Sequence, residues 1–231
     1  AQHVNVSDWT IRRDLAELEA LKQVNRHYGG AHLAIGQKQI EQLTFNATVQ
    51  AAAKAAIGKA AAQLITSGQF VALAAGTTTT QVGLAIRGRE SIAIMTNALN
   101  IAQELAREPG IQLTCAGGEV HGDYYTLTGP VTERALSTHY YDVAVVGVSG
   151  ISIKQGFTVN SQANAVCIDI MLRNATRRIV VADHTKFDKV SYAFLGSLSD
   201  VDLIVTDKLP DAIYREHLRV VSTDVIIAAA D

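Results

Sequence analysis

The spacing of hydrophobic residues changes twice along this chain. Near the start, Ile11, Leu15 and Leu18 recur at helical spacing, opposite Trp9, Thr10, Arg13 and Glu17, with Arg12 at the border. That period predicts an amphipathic helix over residues 6–20. Ser7 is its expected N-cap, because a hydroxyl there accepts from a first-turn N–H. Residues 22–31 then alternate through Val24, Arg26 and Tyr28 and reach Gly29-Gly30, a pattern that predicts a short two-stranded hairpin. Residues 33–50 are polar and Gln-rich and read as a partly helical linker. Residues 49–66 predict an Ala-rich helix, thinned or broken at Gly58, where glycine costs about 1 kcal/mol relative to alanine.

From Gln69 onward short apolar runs recur at 70–74, 92–95, 111–115, 143–148, 179–182, 203–205 and 220–228. They are too short for helices and too evenly apolar for half-exposed strands, so they predict buried strands of a mainly parallel sheet. Helix-like segments at 80–86, 98–107, 131–138 and 163–175 lie between several of them. The expected fold class is therefore α/β, a layered domain with right-handed crossovers. Three parts follow: residues 1–32, a linker with the start of its helix at 33–55, and the α/β domain at 56–231.

Composition narrows the function. Hydrophobic residues make up 48% of the chain, which suits a globular core, and no apolar run reaches the roughly 18–20 residues that span a bilayer. No leader pattern opens the chain, so a cytoplasmic protein without a membrane partner is expected. Cys115 and Cys167 are far apart and outside any C-x-x-C pattern, and are expected to be free buried thiols. The histidines form no H-x-x-x-H pair, so no metal is expected. Gly-x-Ser-x-Gly is absent, so no nucleophile elbow is expected. Tyr124-Tyr125 and Tyr140-Tyr141 read as packing or subunit-contact residues. Net charge is −2, and in the first 32 residues Arg12, Arg13, Lys22 and Arg26 balance Asp8, Asp14, Glu17 and Glu19. DNA binding here would depend on a few well-placed cations.

In an open α/β sheet, ligands bind at the carboxyl ends of the strands. The first strand is followed by Gly76-Thr77-Thr78-Thr79, a turn whose hydroxyls and helix-opening N–H groups suit an anion. The second ends in Thr96-Asn97, the third in Gly117-Gly118, the fourth at Gly147, and the fifth in Asp183-His184-Thr185-Lys186. One cation, Lys186, among many neutral donors fits a phosphorylated small polyol. Asp183 and His184 are adjacent and would point in different directions, so no relay between them is expected.

Thr10-Ile11-Arg12-Arg13-Asp14-Leu15 resembles the recognition helix of DeoR-type bacterial transcriptional regulators, and Arg26-His27-Tyr28-Gly29-Gly30-Ala31 resembles the wing that follows it. The resemblance continues through Gly76–Thr79, Thr96-Asn97, Gly117-Gly118, Gly129, residues 142–147, Ala182-Asp183 and Lys186-Phe187. It implies a winged helix-turn-helix followed by an effector domain similar to ribose-5-phosphate isomerase, in a repressor of sugar catabolism. By it, Gly76, Thr77, Thr78 and Thr79 hold a phosphate, while Thr96, Asn97 and Lys186 line the pocket. Thr10, Arg12 and Arg13 face operator DNA, Trp9 sets specificity, and Arg26, His27 and Tyr28 meet phosphate or the minor groove. A dimer or tetramer is expected, since two half-sites need two heads. Only Ala1–Asn5 precede the first predicted helix, so the resemblance implies an incomplete head.

The chain departs from its relatives at Ala74-Ala75, Ser152 and Asn164-Ala165 with Ile168-Asp169, where many carry a carboxylate or a basic residue. Isomerase chemistry needs a carboxylate base at the sugar carbon. The expectation is therefore a regulator with no catalytic residue and no cofactor. The alternatives are an isomerase-like enzyme and a ligand-binding oligomerisation module.

Overall fold

The computed structural model describes residues 8–21, 24–27, 30–33, 47–121 and 125–228. Helix α1 (Asp8–Ala20) half-buries Ile11, Leu15 and Leu18 and exposes Arg12, Arg13 and Glu17, the division its period requires. Strands β1 (Val24–His27) and β2 (Gly30–Leu33) form the expected hairpin, paired antiparallel from Val24↔Leu33 to His27↔Gly30. Ser7, Tyr28 and most of the linker, residues 34–46, lie outside the described residues.

The remaining chain alternates. In order it forms α2 (Ala51–Ala62), β3 (Phe70–Leu73), α3 (Thr77–Ala85), β4 (Ile92–Thr96), α4 (Leu99–Leu105) and β5 (Ile111–Cys115). Next come β6 (Glu119–His121), β7 (Thr126–Thr128), α5 (Pro130–Ser137), β8 (Tyr141–Gly147), β9 (Gly150–Ser152) and β10 (Gly156–Val159). It closes with α6 (Gln162–Arg173), β11 (Ala175–Val181), β12 (Ala193–Gly196), β13 (Leu203–Thr206), α7 (Ala212–Val220) and β14 (Asp224–Ile227).

Seven strands make one sheet in the order β14-β13-β11-β8-β3-β4-β5, and every neighbouring pair is parallel. Side chains alternate between its faces. Val71, Leu73, Ile94, Val143 and Val145 pack under α2, α3 and α4. Ala72, Met95, Ala144, Val146 and Val180 face Cys167, Ile168 and Met171 of α6. Both faces are covered, as an all-parallel sheet requires.

Two of the expected elements differ. Helix α2 runs unbroken through Gly58 and ends at Ala62 rather than 66. The glycine is there because α3 comes so close: a Cβ at Gly58 would lie 2.6 Å from the carbonyl carbon and Cβ of Gln81. Nor is 220–228 one strand. Val220 closes α7, whose Tyr214 and Leu218 are buried one turn apart and whose N-terminus is capped by Asp211, and β14 begins only at Asp224. The small antiparallel sheets β12-β10-β9 and β6-β7 were not anticipated, because strands of three or four residues leave too short a pattern to read.

Cys115 and Cys167 are free thiols, but only Cys167 is buried. Cys115 ends β5, an edge strand with one uncovered flank, and is exposed. Tyr141 is in the core and donates to the Leu136 carbonyl at 2.8 Å, while Tyr140 beside it is exposed. Burial, aided by Glu133, pushes the Cys167 thiol up to about 11. Burial likewise raises the phenols of Tyr141 and Tyr214 to about 12.

These three acids keep their protons in the folded chain at pH values where the unfolded chain loses them. Their contribution to stability is complete below the ordinary thiol value of 9.0 and is lost as pH rises through the folded values. Urea unfolding across an alkaline series should therefore show declining stability. Cys167→Ala should flatten the part between about pH 9 and 11, whatever its constant packing cost. A variant profile parallel to the wild type would refute this assignment.

Candidate functional site

The chain leaves β3 for β4 on one side of the sheet, while β8 lies on the other. Crossovers that diverge from neighbouring strands leave a crevice at their carboxyl ends. The turn at the end of β3 opens into that crevice. Gly76 has φ +154°, a backbone conformation that favours glycine. No side chain caps α3. The hydroxyls of Thr79 and Thr80 instead fold back to the Gly76 carbonyl at 2.9 and 2.7 Å. The first-turn N–H groups of α3 thus have no side-chain acceptor at the cap position. Thr78 and Thr79 are buried and Thr77 half-buried. Across the crevice, Gly147 ends β8, and a Cβ there would lie 3.7 Å from the Thr79 methyl. The structure thus brings Gly147 and the Gly76–Thr79 turn together.

Two lysines converge on the same end. Lys186 stands half-buried in the 3₁₀ turn His184–Lys186 that follows β11. Lys54, on α2, is only 3% exposed. Burial pushes its ammonium below the usual lysine range; the Asp183 carboxylate opposes that shift and the Lys186 charge adds to it. The three groups therefore share one electrostatic neighbourhood. Asp183, buried, accepts from Thr185 N at 3.0 Å, while His184 turns away, its Nδ1 2.5 Å from Asp207 Oδ2. Asp183 and His184 form no relay with each other, as expected from their adjacency.

Thr96 and Asn97 are wholly buried beside the crevice, with their polar atoms occupied. Thr96 Oγ1 donates to the Leu73 carbonyl at 2.7 Å. Asn97 Oδ1 accepts from Ala75 N at 3.1 Å and its Nδ2 donates to the Leu127 carbonyl at 3.2 Å. Asn97 thereby clasps the end of β3 to β7, and its Nδ2 reaches Asn164 Oδ1 at 3.5 Å. Gly117 and Gly118 form the turn on which α5 rests: the Gly117 carbonyl accepts from Thr132 Oγ1 at 2.5 Å, and a Cβ on Gly118 would lie 2.1 Å from that oxygen. These four residues hold the walls in place. Ser152 is engaged with Gln155 in the β9–β10 turn, at 2.6 Å.

The α1 surface carries the other candidates. Trp9 is 69% exposed, and the Arg13 guanidinium lies over its ring at 5.4 Å while approaching Asp14 Oδ1 at 3.3 Å. Arg12 is exposed and Thr10 half-buried on the same helix. Arg26 and His27 lie on β1, the first strand of the hairpin.

A cleft of about 690 Å³ opens at the opposite, amino-terminal edge of the sheet and contains none of these residues. It is lined by turns around Gly68, Gly88 and Gly110, and its arginine, Arg89, is committed to the Ala62 and Ile65 carbonyls at 2.7 and 3.0 Å. Among the described residues no group of His, Cys, Asp and Glu could hold a metal ion, and no helix is long and apolar enough to cross a membrane.

Sequence reasoning missed two charged groups. Asp207 follows β13, and inspecting that strand end like the other five would have found it. Lys54 sits in an alanine run before the first strand. Its signal was its place on the face shared with Ile57, Gly58 and Ala61.

Residues 49–208 match the family model of the DeoR C-terminal sensor domain, and residues 1–35 that of the DeoR-like helix-turn-helix domain. The chain is 33% identical to the transcriptional repressor AccR of Agrobacterium fabrum, over 89% of this chain and 80% of that protein. It is 29% identical to the repressor GlcR of Bacillus subtilis, over 99% and 88%. It is 30% identical to the glycerol-3-phosphate regulon repressor of Escherichia coli, over 90% and 82%. Ribose 5-phosphate isomerase A of Methanocaldococcus jannaschii overlays 58% of this chain and 53% of its own, with a TM-score of 0.42 and 18% identity, an overlap that says nothing about activity. The chain belongs to the DeoR family of transcriptional regulators.

Proposed function

We propose that this protein represses a sugar-catabolism operon and that a phosphorylated sugar or a close relative sets its affinity for operator DNA. What supports this reading is that Lys54 and Lys186 share an electrostatic neighbourhood with Asp183 at the carboxyl edge of the sheet, the edge at which α3 starts uncapped beside Gly147. Two cations and a row of N–H donors are complementary to a phosphate. The Gly76–Thr79 amides and hydroxyls hold the phosphate, and Lys186 with Lys54 neutralises it. Asn97, Thr96, Gly117 and Gly118 keep the walls in register, and Asn164 faces the sugar. The names of the relatives support the regulatory side of this reading.

The protein is a regulator and not an isomerase. In support, Ala74-Ala75 and Ser152 stand where many relatives carry carboxylates, and isomerase chemistry needs a carboxylate base at the sugar carbon. It acts in the cytoplasm as a homo-oligomer, since two half-sites need two heads. In each head, Thr10, Arg12 and Arg13 meet base edges and phosphates, Trp9 adds an apolar face, and Arg26, His27 and Tyr28 touch the backbone.

Two measurements test this. Thermal unfolding with ribose 5-phosphate, glycerol 3-phosphate and inorganic phosphate should show stabilisation by at least one of them, because a ligand that binds only the folded state raises its apparent stability by mass action. Lys186→Ala should weaken that binding about tenfold or more, as expected for a lost charge-assisted contact. No shift with any of the three, or full binding by the variant, would remove this site. For DNA, a salt titration on the region upstream of the protein's own gene should give a log–log slope that falls by about 0.9 in Arg13→Ala, one phosphate contact's worth. An unchanged slope would take Arg13 out of the phosphate set.

A further inference from the structure

The small sheet β12-β10-β9 turns one side to the core and one outward. On β12, Ala193 and Leu195 are buried, while Phe194 between them is 64% exposed. Tyr192, two residues earlier, is 83% exposed, and Val190, two earlier again, is exposed as well. Outward and inward positions alternate, as along a strand with one covered face. From Val190 to Ser199 no residue is charged. Beside this row runs a groove of about 560 Å³, lined among others by Thr158, Phe194, Leu198, His217 of α7 and Val221, which caps that helix. Val220, on the same side of α7 as His217, is exposed too. Lys154 and His217 are the only acidic or basic side chains in the groove lining. The row is held in place at both ends: Ser191 N donates to Thr158 Oγ1 at 2.8 Å, and Ser197 N to Asp200 Oδ2 at 2.6 Å. A surface already ordered loses little freedom on binding.

The area indicates the size of the partner. An aromatic side chain can bury about 150–250 Å², so Tyr192 and Phe194 alone leave roughly 300 Å² uncovered. Val190 and Val220 bring the apolar patch to roughly 500 Å², near the upper end for a monomeric protein. That is more than half of the about 800 Å² that each side of a standard protein interface buries. Side chains standing this far out of the surface do not enclose a small ligand, whose sites bury about 70–90% of it.

We propose that this face is where two copies of the chain meet about a two-fold axis. The proposal rests on the homo-oligomer reading above and gives it a surface. Exposed aromatics with no charge among them have the composition of an interface centre. The face also carries both halves of a self-complementary contact: Tyr192 and Phe194 protrude, and an apolar groove lies next to them. A two-fold axis brings each such half against the other, once in each direction. The aromatics of each copy therefore fill the groove of the other.

Sedimentation equilibrium of the full-length protein without DNA tests this. The wild type should have at least twice the mass of one chain. Combining Tyr192→Asp with Phe194→Asp should weaken self-association about a hundredfold or more, as expected for two central aromatics, and halve the mass or reduce it further. Cooperative urea unfolding shows whether the variant is folded. Hydroxyl-radical labelling of the wild-type oligomer carries the test alone if it is not. Tyr140 and Tyr192 are about equally exposed in the single chain, so Tyr192 should be labelled several-fold less than Tyr140 once the copies meet. A folded double variant with the wild-type mass, or equal labelling of the two tyrosines in the oligomer, would place the contact elsewhere and overturn the proposal while leaving the homo-oligomer reading intact. A monomeric wild type would remove both.

Discussion

Parallel strand pairing is the constraint on which the rest of this structure depends. Seven strands that point the same way must each be followed by a return path, so their carboxyl ends and the helix starts that follow gather at one edge. Between β3 and β8 the return paths diverge, and no crossover fills the gap. Polar groups collect there: the start of α3, the Asp183–Lys186 turn, Asn97 and, on α2, Lys54. The opposite edge receives only turns, and Arg89 there is occupied in ending α2.

Holding charge at that crevice is not a stability device. A buried lysine and a buried aspartate each lose their water, and their mutual attraction seldom repays that cost in full. Apolar layers on both faces of the sheet supply the stability that makes the cost tolerable. Retaining such a pair next to uncapped N–H donors is understandable if a third, negative partner completes it. Asn97 has the opposite role. It is fully satisfied, and its two backbone bonds join β3 to β7, so the crevice keeps its shape whether or not it is occupied.

Much of this was legible in the chain. Even apolar runs of three to six residues marked six of the seven strands of the main sheet, and the strand-end rule drew attention to Gly76–Thr79, Gly147 and Lys186 because glycine and threonine turns stand out between such runs. Three things were not legible. The role of Gly58 depends on a neighbouring helix twenty-three residues away, so local propensity read a packing contact as a break. Helix α7 was hidden because Val220 abuts another apolar run, and only the cap at Asp211 marked its start. Lys54 was passed over because a lysine among alanines reads as solvated, and the only local sign of burial was the face it shares with Ile57, Gly58 and Ala61. Thr96 and Asn97 show the converse: their strand-end position did not reveal that backbone groups already occupy them.

The first 32 residues are nearly neutral. With Arg12, Arg13, Lys22 and Arg26 offset by four carboxylates, binding to DNA depends on a few contacts and not on bulk charge. The Arg13 guanidinium rests over Trp9 and beside Asp14 in an exposed setting, where such contacts are worth about 0.5–1 kcal/mol. Arg13 is thus pre-positioned at small cost and can be withdrawn at small cost. A head that grips through so few groups does not need a large conformational change to release. Losing the alignment of one or two contacts removes a coupling energy of about 1–3 kcal/mol, the amount a single effector usually supplies.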